Sequence, residues 1–226
     1  MNTQTATRSP SLLDHLPDEV RACVVSRARI RKYYRGATLS LQGEPARSVK
    51  IVQSGWVKLY RVQPDGNEAI MATLSEGQSF DEIEALRGGV SPSSAEALSD
   101  TLVMQIDLSA VCSCKNAHHE ITAAVLSVAD AHMAAMRKDI EQMKSRTGAQ
   151  RLLQYLAELS VHQGDRTDLE LPYDKVVLAG KLGMRPESLS RAFGRLKSLG
   201  VSSHNRQIRI ADTAQLHDSL SDMVAV

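Results

Sequence analysis

The chain has 226 residues, 42% of them hydrophobic and 23% charged, so two domains that each bury a core are expected and nothing in the composition demands disorder. No apolar run approaches the roughly 20 residues that cross a bilayer. The N-terminal MNTQTATRSPSLLDHLPDEV also lacks the apolar core of a secretory signal, so no membrane partner and a cytoplasmic location are expected. A formal net charge of +1 decides nothing as a total, and three cysteines, Cys23, Cys112 and Cys114, build no disulfide framework.

From about Ile30 to Asp107, short β-type runs alternate with Gly-bearing turns, as in VKIVQSGWVKLYRVQPDGNEAIMATLSEGQSF and TLVMQID. Asp65-Gly66 between VKLYRV and EAIMATL signals a hairpin, because glycine adopts positive φ without steric cost. The pattern predicts a β-roll or barrel of roughly eight antiparallel strands, with Trp56 in its core.

Around His118 the period changes. Leu126, Ala129, Met133, Met136, Ile140, Met143 and Thr147 follow one another at intervals of 3, 4, 3, 4, 3 and 4, the seam of a coiled coil. A helix of about 30 residues, ~45 Å long, outruns a small domain and is expected to pair with a second copy. At its start, Cys112, Cys114, His118 and His119 are candidate metal or redox ligands. A C-x-C pair lacks the spacing of structural zinc, so no metal is assigned. His132, beside the seam, is a candidate haem ligand, with packing or a hydrogen bond as the alternative. An enzyme using Cys112 as nucleophile and His118 or His119 as base would need an orienting acid, and none stands in the right local context. No enzymatic activity is expected.

Gly148 and AQRLLQYLAEL open a second helical unit. The expected boundaries are 1–115 for the β-roll, 116–147 for the dimerisation helix and 148–226 for the C-terminal domain. Within VVLAGKLGMRPESLSRAFGRL, Ala179 is small where two helices cross, Gly183 permits a left-handed turn, and Leu178, Leu182 and Leu189 supply a shared core. This is a helix-turn-helix. Pro186 suits the first turn of its second helix, and Glu187 sits at the positive dipole end. Glu187, Ser190, Arg191 and Gly194 share one face of that helix, the face that enters a major groove. Glutamate accepts from cytosine N4, arginine donates to guanine O6 and N7, and serine serves several edges. Glu187, Ser188, Ser190 and Arg191 are therefore the candidate DNA contacts, with Arg195, Lys197 and Arg206 on phosphates. From Lys181 to Arg209 there are seven basic residues against one acid, a footprint for phosphate. The strand-turn-strand from Ser202 to Ile210 completes a wing. With aromatic residues at 4%, stacking on single strands is disfavoured and double-stranded DNA is the expected partner.

The β-roll SGWVKLYRVQPDGNEAIMATLSEGQSF, the helix GAQRLLQYLAEL and the motif LGMRPESLSRAFGRLKSLGV together resemble the CRP/FNR family of bacterial transcription regulators along nearly the whole chain. The resemblance implies an α+β architecture: a cyclic-nucleotide-binding-like jelly roll, a long dimerisation helix and a C-terminal winged helix-turn-helix. It also implies a homodimer and RNA polymerase as a further partner. The E-x-x-S-R pattern of Glu187, Ser190 and Arg191 is similar to the FNR branch and implies an inverted repeat of a TTGAT-like half-site.

The sensory end departs from the family's cyclic-AMP pattern of Gly-Glu and Arg-Ser. Asp81-Glu82 and Ser93-Ser94 stand at those positions, and an added carboxylate with a lost guanidinium repels a phosphate. Arg87 in LRGG is off the family position. Asp81, Glu82, Ser93, Ser94 and His132 are the candidate effector-pocket residues. Cyclic AMP is not expected, and neither is an iron-sulfur cluster, because three cysteines cannot supply four thiolates and Met104 falls near the place of the β-roll cysteine. A haem- or thiol-based gas or redox sensor is the alternative subtype. A cyclic-nucleotide-binding module without transcriptional duty is opposed by the basic C-terminal face.

Overall fold

The structure, a computed structural model, describes residues 11–108 and 115–212. Described residues up to Met136 pack as one unit, and those from Arg137 onward as a second.

Among the described residues, eight strands build the first unit: β1 (Arg29–Tyr33), β2 (Thr38–Ser40), β3 (Val49–Ser54), β4 (Val57–Val62), β5 (Glu68–Leu74), β6 (Ser79–Phe80), β7 (Ser94–Ala97) and β8 (Thr101–Ile106). They form two antiparallel four-stranded sheets, ordered β1-β8-β3-β6 and β2-β7-β4-β5. Alternation along β3 divides the core. Val49 and Ile51 pack with helices, whereas Val52 joins Val57, Leu74, Phe80 and Ala95 in a second cluster. Lys50 has the parity of Val52, and its ammonium lies 5.3 Å from the centre of the Phe80 ring. The β4–β5 hairpin closes through Gln63–Asn67, with Gly66 at φ 83° and Asp65 accepting from the Asn67 backbone and side chain. Trp56 is half-buried at the β3–β4 turn rather than in the core.

Helix α1 (Asp18–Ser26), preceded by a 3-10 turn (Leu12–His15), and the first half of a long helix cover Val49, Ile51, Met104 and Ile106. A short helix α2 (Glu82–Arg87) follows β6. The long helix α3 runs from Lys115 to Ser145, 31 residues. Its buried stripe is Ala117, Ile121, Ala124, Val125 and Val128, one face at helical spacing. The stripe read from the sequence lies elsewhere on the helix: Leu126, Met133, Met136, Ile140 and Met143 are exposed and Ala129 is partly so.

The second unit begins with the end of α3. Thr147 interrupts the helix and starts α4 (Gly148–His162) through a reciprocal box with Gln150. Leu152, Leu153, Leu156 and Leu159 of α4 are buried. There follow β9 (Asp168–Glu170), α5 (Lys175–Lys181), α6 (Pro186–Leu196), a 3-10 turn (Lys197–Leu199), β10 (Val201–His204) and β11 (Gln207–Ile210). Strand β9, within DLELP, joins the C-terminal hairpin in a sheet ordered β10-β11-β9. Among the described residues no helix is long and apolar enough to cross a membrane.

Candidate nucleic-acid interface and effector pocket

Helices α5 and α6 meet over Leu178, Ala179, Leu189 and Phe193, all buried. Gly183 turns the chain between them at φ 62°, a conformation in which a side chain is strained. Any Cβ there would also come within 2.9 Å of Met143 Sδ. Pro186 occupies the first turn of α6, where a missing N–H costs nothing. Leu189, Ala192, Phe193 and Leu196 face inward, which leaves Glu187, Ser190, Arg191, Gly194 and Arg195 outward.

Among the described residues no ion pair joins Glu187 to Arg191, although the two are four apart. Arg191 instead donates to Ser188 Oγ at 3.1 Å, and Ser190 Oγ donates to the Pro186 carbonyl at 3.1 Å. Glu187 therefore keeps its acceptors and Arg191 most of its donors for a ligand. Among the described residues nothing outside the helix's own backbone lies within 4 Å of a Cβ built on Gly194, so its bareness serves the open face and not the packing.

The seven cations are not alike. Arg206 donates from Nε to the Leu171 carbonyl at 2.8 Å and pairs with Glu170 at 3.4 Å, while Arg209 pairs with Asp168 at 2.9 Å. Both brace β9 against the wing. Arg185, Arg191, Arg195 and Lys197 are exposed with no carboxylate partner among the described residues. Lys175, which the sequence did not single out, joins them. Its ammonium donates to Ser203 Oγ at 3.1 Å and lies 5.0 Å from the centre of the Phe193 ring. Partial burial pushes its pKa below the ordinary lysine value. A groove of about 320 Å³ beside α6 is lined by Lys175, Ser190, Gly194, Lys197 and Ser203 among others, a cationic, hydroxyl-bearing hollow next to the face of Ser190.

In the first unit, Asp81 stands at the N-cap position of α2 with φ 64° and is buried, its side chain turned to other partners. Its Oδ2 accepts from Lys50 Nζ at 2.6 Å and from Ser91 Oγ at 2.9 Å, so this carboxylate is neutralised inside the protein. Neither partner was foreseen. Glu82 is 6% exposed, and its Oε1 accepts no hydrogen bond from any of the described residues. Desolvation raises its pKa. The nearby Ser79 hydroxyl, short of hydrogen-bonding geometry, and the His132 imidazole oppose that rise, and Asp81 adds to it. His132 of α3 thus stands within electrostatic reach of Glu82. Ser94 Oγ accepts from the Gln42 N–H at 3.1 Å, and Ser93 beside it is half-buried. Arg87 is exposed and paired with Glu84 at 3.8 Å.

His118 and His119 lie exposed on the first turns of α3. Cys112 and Cys114 fall outside the described residues, among which no group of three or more His, Cys, Asp or Glu could hold a metal. Cys23 is half-buried on α1, and Met104 is a core residue of β8.

Residues 30–117 match the model of the cyclic nucleotide-binding domain, and residues 150–219 that of the Crp-like helix-turn-helix domain. A regulatory protein of Silicibacter pomeroyi DSS-3, to which cAMP binding is ascribed, is 41% identical; the match covers 93% of this chain and 94% of that one, with a TM-score of 0.68. The transcriptional regulator LdrP of Thermus thermophilus is 25% identical over 83% of this chain and 94% of its own length. The fumarate and nitrate reduction regulatory protein of Vibrio cholerae is 24% identical over 83% and 77%.

Proposed function

The chain belongs to the CRP/FNR family of transcription regulators, and from that premise we propose that it works as a homodimer reading an inverted repeat of a TTGAT-like half-site. Each recognition helix α6 enters a major groove with Glu187, Ser188, Ser190 and Arg191 on base edges. The observation that carries this is the outward face of α6, where Glu187 and Arg191 are not paired with each other and Gly194 is bare. Lys175, Arg195 and Lys197 hold phosphates on its flank. Arg206, tied to Leu171 and Glu170, holds the wing and presents its remaining donors to the backbone. Half-sites one helical turn apart, ~34 Å, suit two such heads on one dimer.

The effector differs from a cyclic phosphate. Ser93 and Ser94 offer no guanidinium, Lys50 is already matched by Asp81, and Glu82 presents an unpartnered oxygen suited to a hydrogen-bond donor. The Silicibacter pomeroyi relative favours a second reading, cyclic AMP itself. Calorimetric titration with cyclic AMP decides between them, and saturable binding overturns the first.

Selection from randomised duplexes with the full chain should enrich an inverted repeat. On that site Arg191→Ala should cost about 1–3 kcal/mol and relax one base pair, while binding to random duplex stays unchanged. Lys175→Gln should weaken both duplexes alike and lower the salt slope by about 1. Equal losses on both duplexes for the Arg191 change would refute its base-reading role.

A further inference from the structure

Arg151 stands on the first turns of α4, and its guanidinium reaches two other elements at once. Nε donates to the Leu182 carbonyl at 2.9 Å, at the end of α5. Nη1 donates to the carbonyls of Arg146 at 2.8 Å and Met143 at 3.4 Å, at the end of α3. Helix ends leave such carbonyls without partners. The N–H of Thr147 would ordinarily serve Met143, but it donates to Gln150 Oε1 at 2.7 Å in the box that starts α4. Leu182 ends α5, and the left-handed Gly183 that follows turns the chain away, so no helical N–H four residues on reaches its carbonyl. The capping chemistry of one junction and the glycine turn of the other thus free the oxygens that Arg151 gathers. A cation there also faces the negative end of the long α3.

Neighbouring contacts follow the same seam. Met143 Sδ lies against the bare Gly183 turn, Met184 Cε lies 3.4 Å from where a Cβ on Gly148 would stand, and Lys138 of α3 pairs with Glu158 of α4 at 3.3 Å. None of these residues shares the face of Glu187, Ser190 and Arg191.

We propose that Arg151 is a positioning residue that fixes the helix-turn-helix on the last turn of α3, so that the aim of α6 follows the helix that pairs with a second copy. The assignment rests on the DNA reading above. A lysine cannot replace it, because an ammonium is a single point whereas the guanidinium donates from separate nitrogens in different directions.

The test compares the full-length protein with Arg151→Lys and Arg151→Gln on three duplexes: the selected inverted repeat, the same repeat with one base pair added between half-sites, and a single half-site. Arg151→Lys should bind the repeat roughly ten- to a hundredfold more weakly, keep its single half-site affinity within about twofold, and lose preference between the two spacings. Arg151→Gln should repeat this pattern more strongly. A purely structural role would weaken repeat and half-site together and lower the melting temperature, and that outcome overturns the proposal. So does Arg151→Lys binding all three duplexes as the parent does. If the parent protein itself fails to prefer the repeat over random duplex, the DNA reading falls and takes this assignment with it.

Discussion

Two adjacent carboxyl groups, Asp81 and Glu82, are both buried, yet their chemistry differs. Asp81 has an ammonium and a hydroxyl on one oxygen, which offset the cost of burying it. Glu82 has an oxygen with no donor, and its folded-state pKa is raised by desolvation first and by Asp81 last, against the opposing pull of Ser79 and His132. A raised pKa means that the folded protein holds this proton at a pH where the unfolded chain has released it. The corresponding stability is fully present below the ordinary glutamate range and is lost as pH rises through the folded value. Glu82→Gln should therefore melt higher than the parent at pH 8, with the gap closing towards pH 4. Thermal melts across that range check it, and parallel curves would show that Glu82 is solvated as in the unfolded chain. The same substitution keeps the acceptor oxygen but removes the charge, which separates the group's cost to folding from its use to an effector.

Helix α6 carries its own contradiction, a glycine in the interior of a helix whose other face is packed with Leu189, Phe193 and Leu196. Glycine there costs about 1 kcal/mol against alanine, and no neighbour within 4 Å demands it. Gly194→Ala should stabilise the protein by about 0.5–1 kcal/mol in urea denaturation. It should also weaken binding to the selected repeat, because the new methyl stands on the face that meets the groove. Unchanged affinity would move Gly194 out of the interface. Gly183 is the opposite case, since its φ of 62° and the nearness of Met143 make glycine a requirement of the fold. The helix-turn-helix was legible in the sequence because Ala179, Gly183 and the leucines encode it locally. The wing was only half legible. Arg206 and Arg209 find their partners 35 and 41 residues back in the chain, on and beside β9, and such pairs leave no local signature. Counted in the sequence as part of a phosphate footprint, they also brace the wing, and Lys175 supplies a charge that the count omitted. Lys50 and Asp81, 31 residues apart, were hidden for the same reason.

At the scale of the whole chain, α3 has two apolar stripes, and the sequence displayed the one that the single copy does not bury. Ala117, Ile121, Ala124, Val125 and Val128 are satisfied by the first unit. Their small and branched side chains overlap in sequence with the heptad seam, which masked them. Leu126 at 63% exposure, Met133, Met136 at 61% and Ile140 continue along α3 with no such cover, and Met143 ends the row half-covered by the Gly183 turn. From Leu126 to Met143 the stripe is about 25 Å long, and an apolar row of that length on a charged helix marks a contact surface. Its regular spacing fits a second copy of the same helix, which would bring each residue beside its own kind. Met136→Asp places a carboxylate at the middle of that seam, and in a symmetric pair it meets a second one. One copy loses nothing by it, since Met136 is largely in water, so far-UV circular dichroism should be preserved. Sedimentation at micromolar concentration should show a monomer where the parent is a dimer. The variant's affinity for the inverted repeat should fall to that of a single half-site, because the two heads are then no longer joined. A variant that still sediments as a dimer would place the interface on another face of the molecule.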